Sequence, residues 1–224
     1  MNTNIRTARI VGVLFITATA ITIVGIIFLG STLDAPDYLV NVPENENQVI
    51  MAVICELILA VSVIGIGFVM FPILKEHIQS LALGYAALRL VEGVLIVVAS
   101  ISLLSLLTVS QEYVAGSMDA AYYQPLGTSL LAFRDWAFVM GTMIFLGLGG
   151  LPLYYTLYQS KLVPRWLSAW GLLGAACVLI YGLISLFGPD PAYLAAPIAL
   201  QEMIFALWLI VKGFNPSAVA AEVA

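Results

Sequence analysis

Apolar residues in this chain run on far longer than a strand or the buried stripe of a soluble helix needs, and polar ones interrupt them rarely. Six stretches, at about 10–30, 49–74, 78–110, 129–160, 166–188 and 191–212, stand out in this way. Each reaches the roughly 20 residues that a helix needs to cross a ~30 Å hydrocarbon layer. The first and fifth hold no charge, nor does the fourth from Trp136 onward. The second holds Glu56, the third Arg89 and Glu92, and the sixth Glu202 before Lys212 at its end. In lipid, backbone groups must bond within their own segment or around a closed barrel. The runs lack the strict alternation of barrel strands, so helices are predicted. The expectation is an all-α, polytopic membrane helix bundle of about six transmembrane helices, a single transmembrane domain over residues 1–224. The third stretch, near 50 Å as a straight helix at ~1.5 Å per residue, must tilt, kink or project beyond the hydrocarbon.

The first run follows Arg6 and Arg9, as a secretory signal would. Its apolar length exceeds the ~7–15 residues of a signal core and no Ala-x-Ala site follows, so it reads as an uncleaved anchor.

The polar punctuation has a direction. Arg6, Arg9, Lys75, Lys161, Arg165 and Lys212 all fall on the side of the N-terminus if six helices alternate. The opposite loops carry Asp34, Asp37, Glu44, Glu46, Glu112, Asp119 and Asp190. Arg134, at the start of the fourth helix, is the one ambiguous base. Basic residues in short loops mark the cytoplasmic side, which puts both the N and C termini in the cytoplasm. Trp166, Trp170, Tyr154, Tyr155 and Tyr158 flank the basic 161–165 loop, as interfacial aromatics do. Residues 31–48, with Pro36 and Pro43, read as a solvated, partly ordered outer cap. Helices two and five do not match in charge, so no inverted repeat is apparent.

Composition changes little and excludes much. Of 224 residues, 62% are apolar and 9% charged, against about 25% charged in soluble domains. No separate soluble domain fits. The net charge of −5 matters less than where the charges sit. Cys55 and Cys177 lie in apolar runs and form no CxxC motif, which suits small buried hydrophobes. The single histidine, His77, sits between Glu76 and Ile78 at a predicted turn, so a zinc site or a Ser-His-Asp triad has too few parts. Gly147-Leu148-Gly149-Gly150 lacks the Lys-Ser/Thr of a phosphate loop and suits close packing or a bend before Pro152. Gly171, Gly174 and Ala175 form a small-residue packing face. The few scattered bases argue against nucleic-acid binding. No cofactor and no metal is expected.

Chemistry is confined to the charges inside the apolar runs. A charge at mid-bilayer costs about 2.5–3.5 kcal/mol on insertion scales, so such residues face the bundle and find partners. Arg89 and Glu92 share one helical face, with Tyr85 a turn earlier. Glu56 lies between Ala52 and Ala60, and Glu202 between Ala199 and Ala206; small neighbours let helices approach, so both acids should point inward. Counting ~1.5 Å per residue puts Glu202 near the midplane, Glu56 roughly 5–8 Å outward, and Arg89 and Glu92 somewhat inward, a ladder rather than a ring. Three acids face one certain base, so complete pairing is impossible. Arg134 and Asp135 are candidates for closing the outer end.

Several stretches together resemble the bacterial domain-of-unknown-function family 4386. They are Ala8-Arg9-Ile10-Val11-Gly12, Arg89-Leu90-Val91-Glu92, Leu162-Val163-Pro164-Arg165-Trp166-Leu167-Ser168, and Glu202 followed by Leu207-Trp208-Leu209-Ile210-Val211-Lys212-Gly213-Phe214-Asn215. The resemblance implies a multi-pass protein of the bacterial cytoplasmic (inner) membrane, from a family without a settled biochemical function. The intramembrane acids and the Arg–Glu pair look like family features.

Three functions remain open at this level. The leading one is binding or translocation of a small solute or proton, with Arg89 anchoring an anion or holding the carboxylates and Glu56 and Glu202 as proton or cation sites. A non-transporting accessory, sensor or stress-related membrane protein would use the same charges only to hold its fold, with Arg89 bridging Glu92 and Glu202. An enzyme acting on lipid, with Glu92 or Glu202 as general acid, lacks an evident nucleophile. The lipid bilayer is the partner common to all three; a small solute, proton or lipid is a further candidate, and a protein partner, which the accessory reading calls for, is left open.

Overall fold

The long uncharged runs become long helices. The computed structural model describes residues 3–33, 36–116 and 120–216, and all regular structure among them is helical. The elements are α1 (Thr3–Leu29), a short α2 (Tyr38–Glu44), α3 (Glu46–Leu74), α4 (Gln79–Val114) and α5 (Ala120–Val139), then a π-helical turn (Met140–Phe145) that runs into α6 (Leu146–Ser160). After it come α7 (Arg165–Ser185), a 3₁₀ turn (Ala192–Ala195) and α8 (Ala196–Val211). Five helical stretches are long and apolar enough to cross a membrane, one of them the 69-residue stretch Glu46–Val114. That stretch doubles back at residues 75–78, so the described residues form six long rods, with α5, the π turn and α6 as one.

The α3–α4 hairpin is antiparallel and close. Gly93 lies so near Ile64 and the carbonyl of Ala60 that a Cβ there would collide with the Ile64 side chain. At the other side of the bundle a Cβ on Gly12 would stand 2.6 Å from the carbonyl of Ala206, so α1 crosses α8 almost backbone to backbone. Gly147 and Gly150 abut Ala175, Gly171 lies against the Tyr154 ring and Gly174 against Ile198, so both glycine groups serve packing.

Burial is inverted relative to a soluble protein. Arg89, Glu92, Glu56 and Gln201 are buried, while Ile27, Val61, Leu83, Ile101, Leu173, Leu200 and Val211 are exposed on the outside of the rods. An apolar exterior of this extent suits contact with lipid or another apolar phase.

Three expectations need correcting. The 31–48 segment is not simply solvated: its middle folds as α2, buries Tyr38, Leu39 and Val42, and accepts or donates a hydrogen bond between Tyr38 OH and Thr128 Oγ1 at 3.2 Å. Apolar residues three and four apart in Tyr38-Leu39-Val40-Asn41-Val42 give that turn a face to bury. Among the described residues the fourth rod is already helical from Ala120, well before residue 129, with Pro125 carried inside its second turn. Arg134 belongs to no loop: its side chain is 11% exposed and sits within the bundle. Asp34 and Asp119 lie outside the described residues. Cys55 is buried and Cys177 half-buried, both as free thiols.

Candidate functional site

The hairpin geometry decides where the buried charges go. Arg89 and Glu92 project from one face of α4 toward α1 and α8. One guanidinium nitrogen of Arg89, Nη1, donates to both Glu92 carboxylate oxygens, at 3.0 and 2.9 Å. Its Nη2 reaches Glu202 on α8 at 3.4 Å, and its Nε donates to Tyr85 OH at 3.2 Å. The guanidinium carbon also lies 5.6 Å from the centres of the Phe15 and Tyr85 rings, within cation–π range. Five donors in a rigid fork let one arginine serve two acids, a phenol and two rings at once, which a lysine has too few fixed directions to do. Arg89 thereby connects α1, α4 and α8.

Glu56 does not join this group. From α3 it accepts from Arg134 Nη2 of α5 at 2.6 Å through one oxygen, and from Ser100 of α4 at 2.7 Å through the other. Arg134 Nη1 lies 3.5 Å from Asp135 Oδ1, and its guanidinium carbon 5.7 Å from the Phe138 ring centre. The single ladder expected from depth counting is therefore two clusters, Glu56–Arg134–Ser100 with Asp135 at its rim, and Tyr85–Arg89–Glu92–Glu202. The reason is the second base. Once Arg134 is buried, each cluster has its own cation, and Glu56 has no need to compete for Arg89.

Each cluster opens into a cavity. The first, of about 280 Å³, is walled by Glu56, Arg134, Asp135, Cys55 and Leu131 and reaches the Gly30–Leu33 end of the bundle. The second, of about 300 Å³, is mostly apolar and holds Arg89, Glu92 and Glu202 in its wall with Phe15, Thr19 and Thr142. Thr22, Ile26, Leu59 and Phe138 line both, so they form the partition between the two spaces. The π turn starting at Met140 stands beside this partition and contributes Thr142 and Met143 to the second cavity. Such turns widen a helix locally and free backbone geometry where a cavity is needed.

The carboxylates differ in how firmly they are held. Glu92 has both oxygens on Arg89, and Glu56 has one on Arg134 and one on Ser100. Glu202 has a single ion-pair contact, at the long distance of 3.4 Å, and its side chain keeps 14% exposure toward the cavity. It is the least committed acid of the three.

Sequence reasoning did not single out Ser100, Gln201, Ser168 or the hydroxyl of Tyr154. Gln201 donates to the carbonyl of Leu167 at 3.1 Å and so ties α8 to the start of α7. Among the described residues, Ser168 Oγ is buried without a hydrogen-bond partner, and the buried Tyr154 hydroxyl lies beside the Gln201 side chain. No group of three or more His, Cys, Asp or Glu side chains able to hold a metal occurs among the described residues. His77 lies at the α3–α4 turn beside the Lys75–Glu76 pair, whose atoms are 3.7 Å apart.

The chain belongs to the family described as Domain of unknown function (DUF4386), whose sequence profile matches residues 10–213. No curated protein and no solved structure matches it.

Proposed function

We propose that this member of the family is a multi-pass protein of the bacterial cytoplasmic membrane, crossing six times with both termini inside, and that it binds or translocates a small solute or proton through its buried carboxylate and arginine clusters. The observation that carries this reading is Glu202. It is a carboxylate in the wall of an apolar cavity, held by one long contact, whereas Glu92 next to it is fully engaged. An intramembrane acid so placed can take up and release a proton, or meet a cation, without dismantling the pairing that holds the helices. Arg89 would keep the site assembled or anchor an anion, and Glu56 with Arg134 would form a second station nearer the outside. The six bases at one end of the rods support the orientation, and Arg134, the one ambiguous base, lies in a helix with its side chain only 11% exposed and so does not enter the loop count.

Proton flux into proteoliposomes containing a pH-sensitive dye tests the proposal. The wild type is expected to dissipate an imposed pH gradient, and Glu202→Gln to abolish and Glu56→Gln to slow that flux. Flux unchanged in both variants, with folded protein, would sink it.

The accessory reading is favoured by one feature, the complete pairing of Glu56 and Glu92. It predicts no flux in wild type and a second protein retained through purification.

A further inference from the structure

We infer that the groove between the α6–α7 loop and the end of α8 binds the phosphate of an anionic phospholipid. Two stretches far apart in sequence build it. Lys161 ends α6 in the left-handed conformation, at φ 58°, which turns the chain sharply, and extended Pro164 then leads into α7. The backbone N–H of Asn215 donates to the carbonyl of Leu162 at 2.8 Å, and its Nδ2 approaches the carbonyl of Lys161 at 3.4 Å, so the segment after α8 is pinned onto the loop. The space left between them is about 500 Å³.

Among the described residues its lining includes Lys161, Arg165 and Lys212 and no carboxylate. Arg165 stacks on the Tyr158 ring at 5.2 Å, which leaves its fork free to donate at its edge. Neither Lys161 nor Lys212 makes an ion pair among the described residues. Three cations converging without an acid repel one another, and an anion relieves that. The first turn of α7, capped by no side chain, opens on the same space and adds the positive end of a helix.

Adjacent apolar surface selects the source of the phosphate. Trp208, half-buried, forms one wall, and Leu207 and Val211 beside it on α8 are exposed. A phosphate in the groove could therefore continue into acyl chains along α8, which a free ion could not exploit. Basic pockets beside membrane helices on the cytoplasmic side recognise lipid headgroups by this combination. The inference rests on the membrane reading above and is independent of any flux through the cavities.

Quenching of tryptophan emission in reconstituted protein tests it, with Trp208→Phe subtracted to isolate Trp208. Brominated phosphatidylglycerol is expected to quench Trp208 more than brominated phosphatidylcholine does, and Lys161→Gln, Arg165→Gln and Lys212→Gln to weaken that preference about fivefold for each charge removed. Lys161→Arg with Lys212→Arg should retain it, which separates loss of charge from loss of fold. Equal quenching by the two lipids would overturn the site while leaving the membrane reading intact, and no quenching by either would overturn both. Abolition of the preference by inorganic phosphate at low concentration would assign the groove to the free anion and refute the lipid.

Discussion

Glu56 and Arg134 meet at 2.6 Å between α3 and α5, the shortest ion contact among the described residues, with both side chains nearly excluded from the surface. The contact fastens the long fourth rod to the α3–α4 hairpin, and Ser100 on α4 completes it through the second oxygen of Glu56. Glu56 is thus the point where three helices share one carboxylate.

Removing one member leaves the other charged and buried without a partner. Arg134→Gln and Glu56→Gln are each expected to cost about 3–5 kcal/mol, and the double variant much less than their sum. Ser100→Ala should cost only about 1 kcal/mol. Thermal unfolding of the four proteins in one detergent checks this; additive losses in the double variant would show that the two residues do not interact.

Arg89 supports a sharper comparison, because its work depends on direction as well as charge. Arg89→Lys preserves the cation but cannot serve Glu92, Glu202 and Tyr85 together from fixed positions. It is expected to destabilise nearly as much as Arg89→Gln, whereas Tyr85→Phe, which deletes one hydrogen bond, should cost about 1 kcal/mol. A melting temperature for Arg89→Lys equal to wild type would mean that charge alone suffices.

How much of this was legible in the sequence differs by residue. The inward facing of Glu56 and Glu202 was read from their alanine neighbours; Ala52, Ala60 and Ala206 are buried at helix contacts, whereas Ala199 is exposed, so the argument holds on both sides of Glu56 and on one side of Glu202. The pairing of Arg89 with Glu92 followed from three-residue spacing on one helix, which needs no tertiary knowledge. Arg134 was legible only as a candidate, with Asp135, for the outer end of the polar cluster; its pairing with Glu56 was not, for the opposite reason. Its partner lies 78 residues away, and its place depended on where the fourth helix begins, which polar Gln124, Thr128 and Ser129 obscured. Ser100 could have been found. A hairpin folding near residue 78 sets 56 opposite 100, as it sets Gly67 against Arg89. Gln201 gave no signal, since an uncharged polar residue in an apolar run can face any neighbour, and Tyr154, expected as an interfacial aromatic, is instead buried against Gly171 and Phe205.

The crossing of α1 and α8 offers a packing test away from the charges. A side chain at Gly12 has nowhere to go, since the obstacle is the carbonyl of Ala206 and not a flexible tip. Gly12→Leu is expected to push α1 off α8, lengthening the distance from Phe15 to Phe205, whose rings now meet edge to face at 5.5 Å. Gly84→Leu, where a Cβ meets nothing within 4 Å, should be tolerated. Monodisperse elution of the Gly84 variant and aggregation or loss of the Gly12 variant is the expected pattern; equal elution of the two would refute the backbone contact.

Orientation is open to a direct chemical test, because the two ends of the rods differ in charge. With Cys55 and Cys177 replaced by alanine, single cysteines can be placed at Lys161 and Asp190, exposed positions at opposite ends of α7. Neither residue belongs to the two buried clusters, so the substitutions should not disturb folding. A membrane-impermeant maleimide added to intact spheroplasts is expected to label Asp190→Cys and spare Lys161→Cys, and to label both after lysis. Labelling of Lys161→Cys and not Asp190→Cys in intact cells would invert the topology, move the basic groove to the outer face, and remove the reason for assigning Glu56 to the outer station.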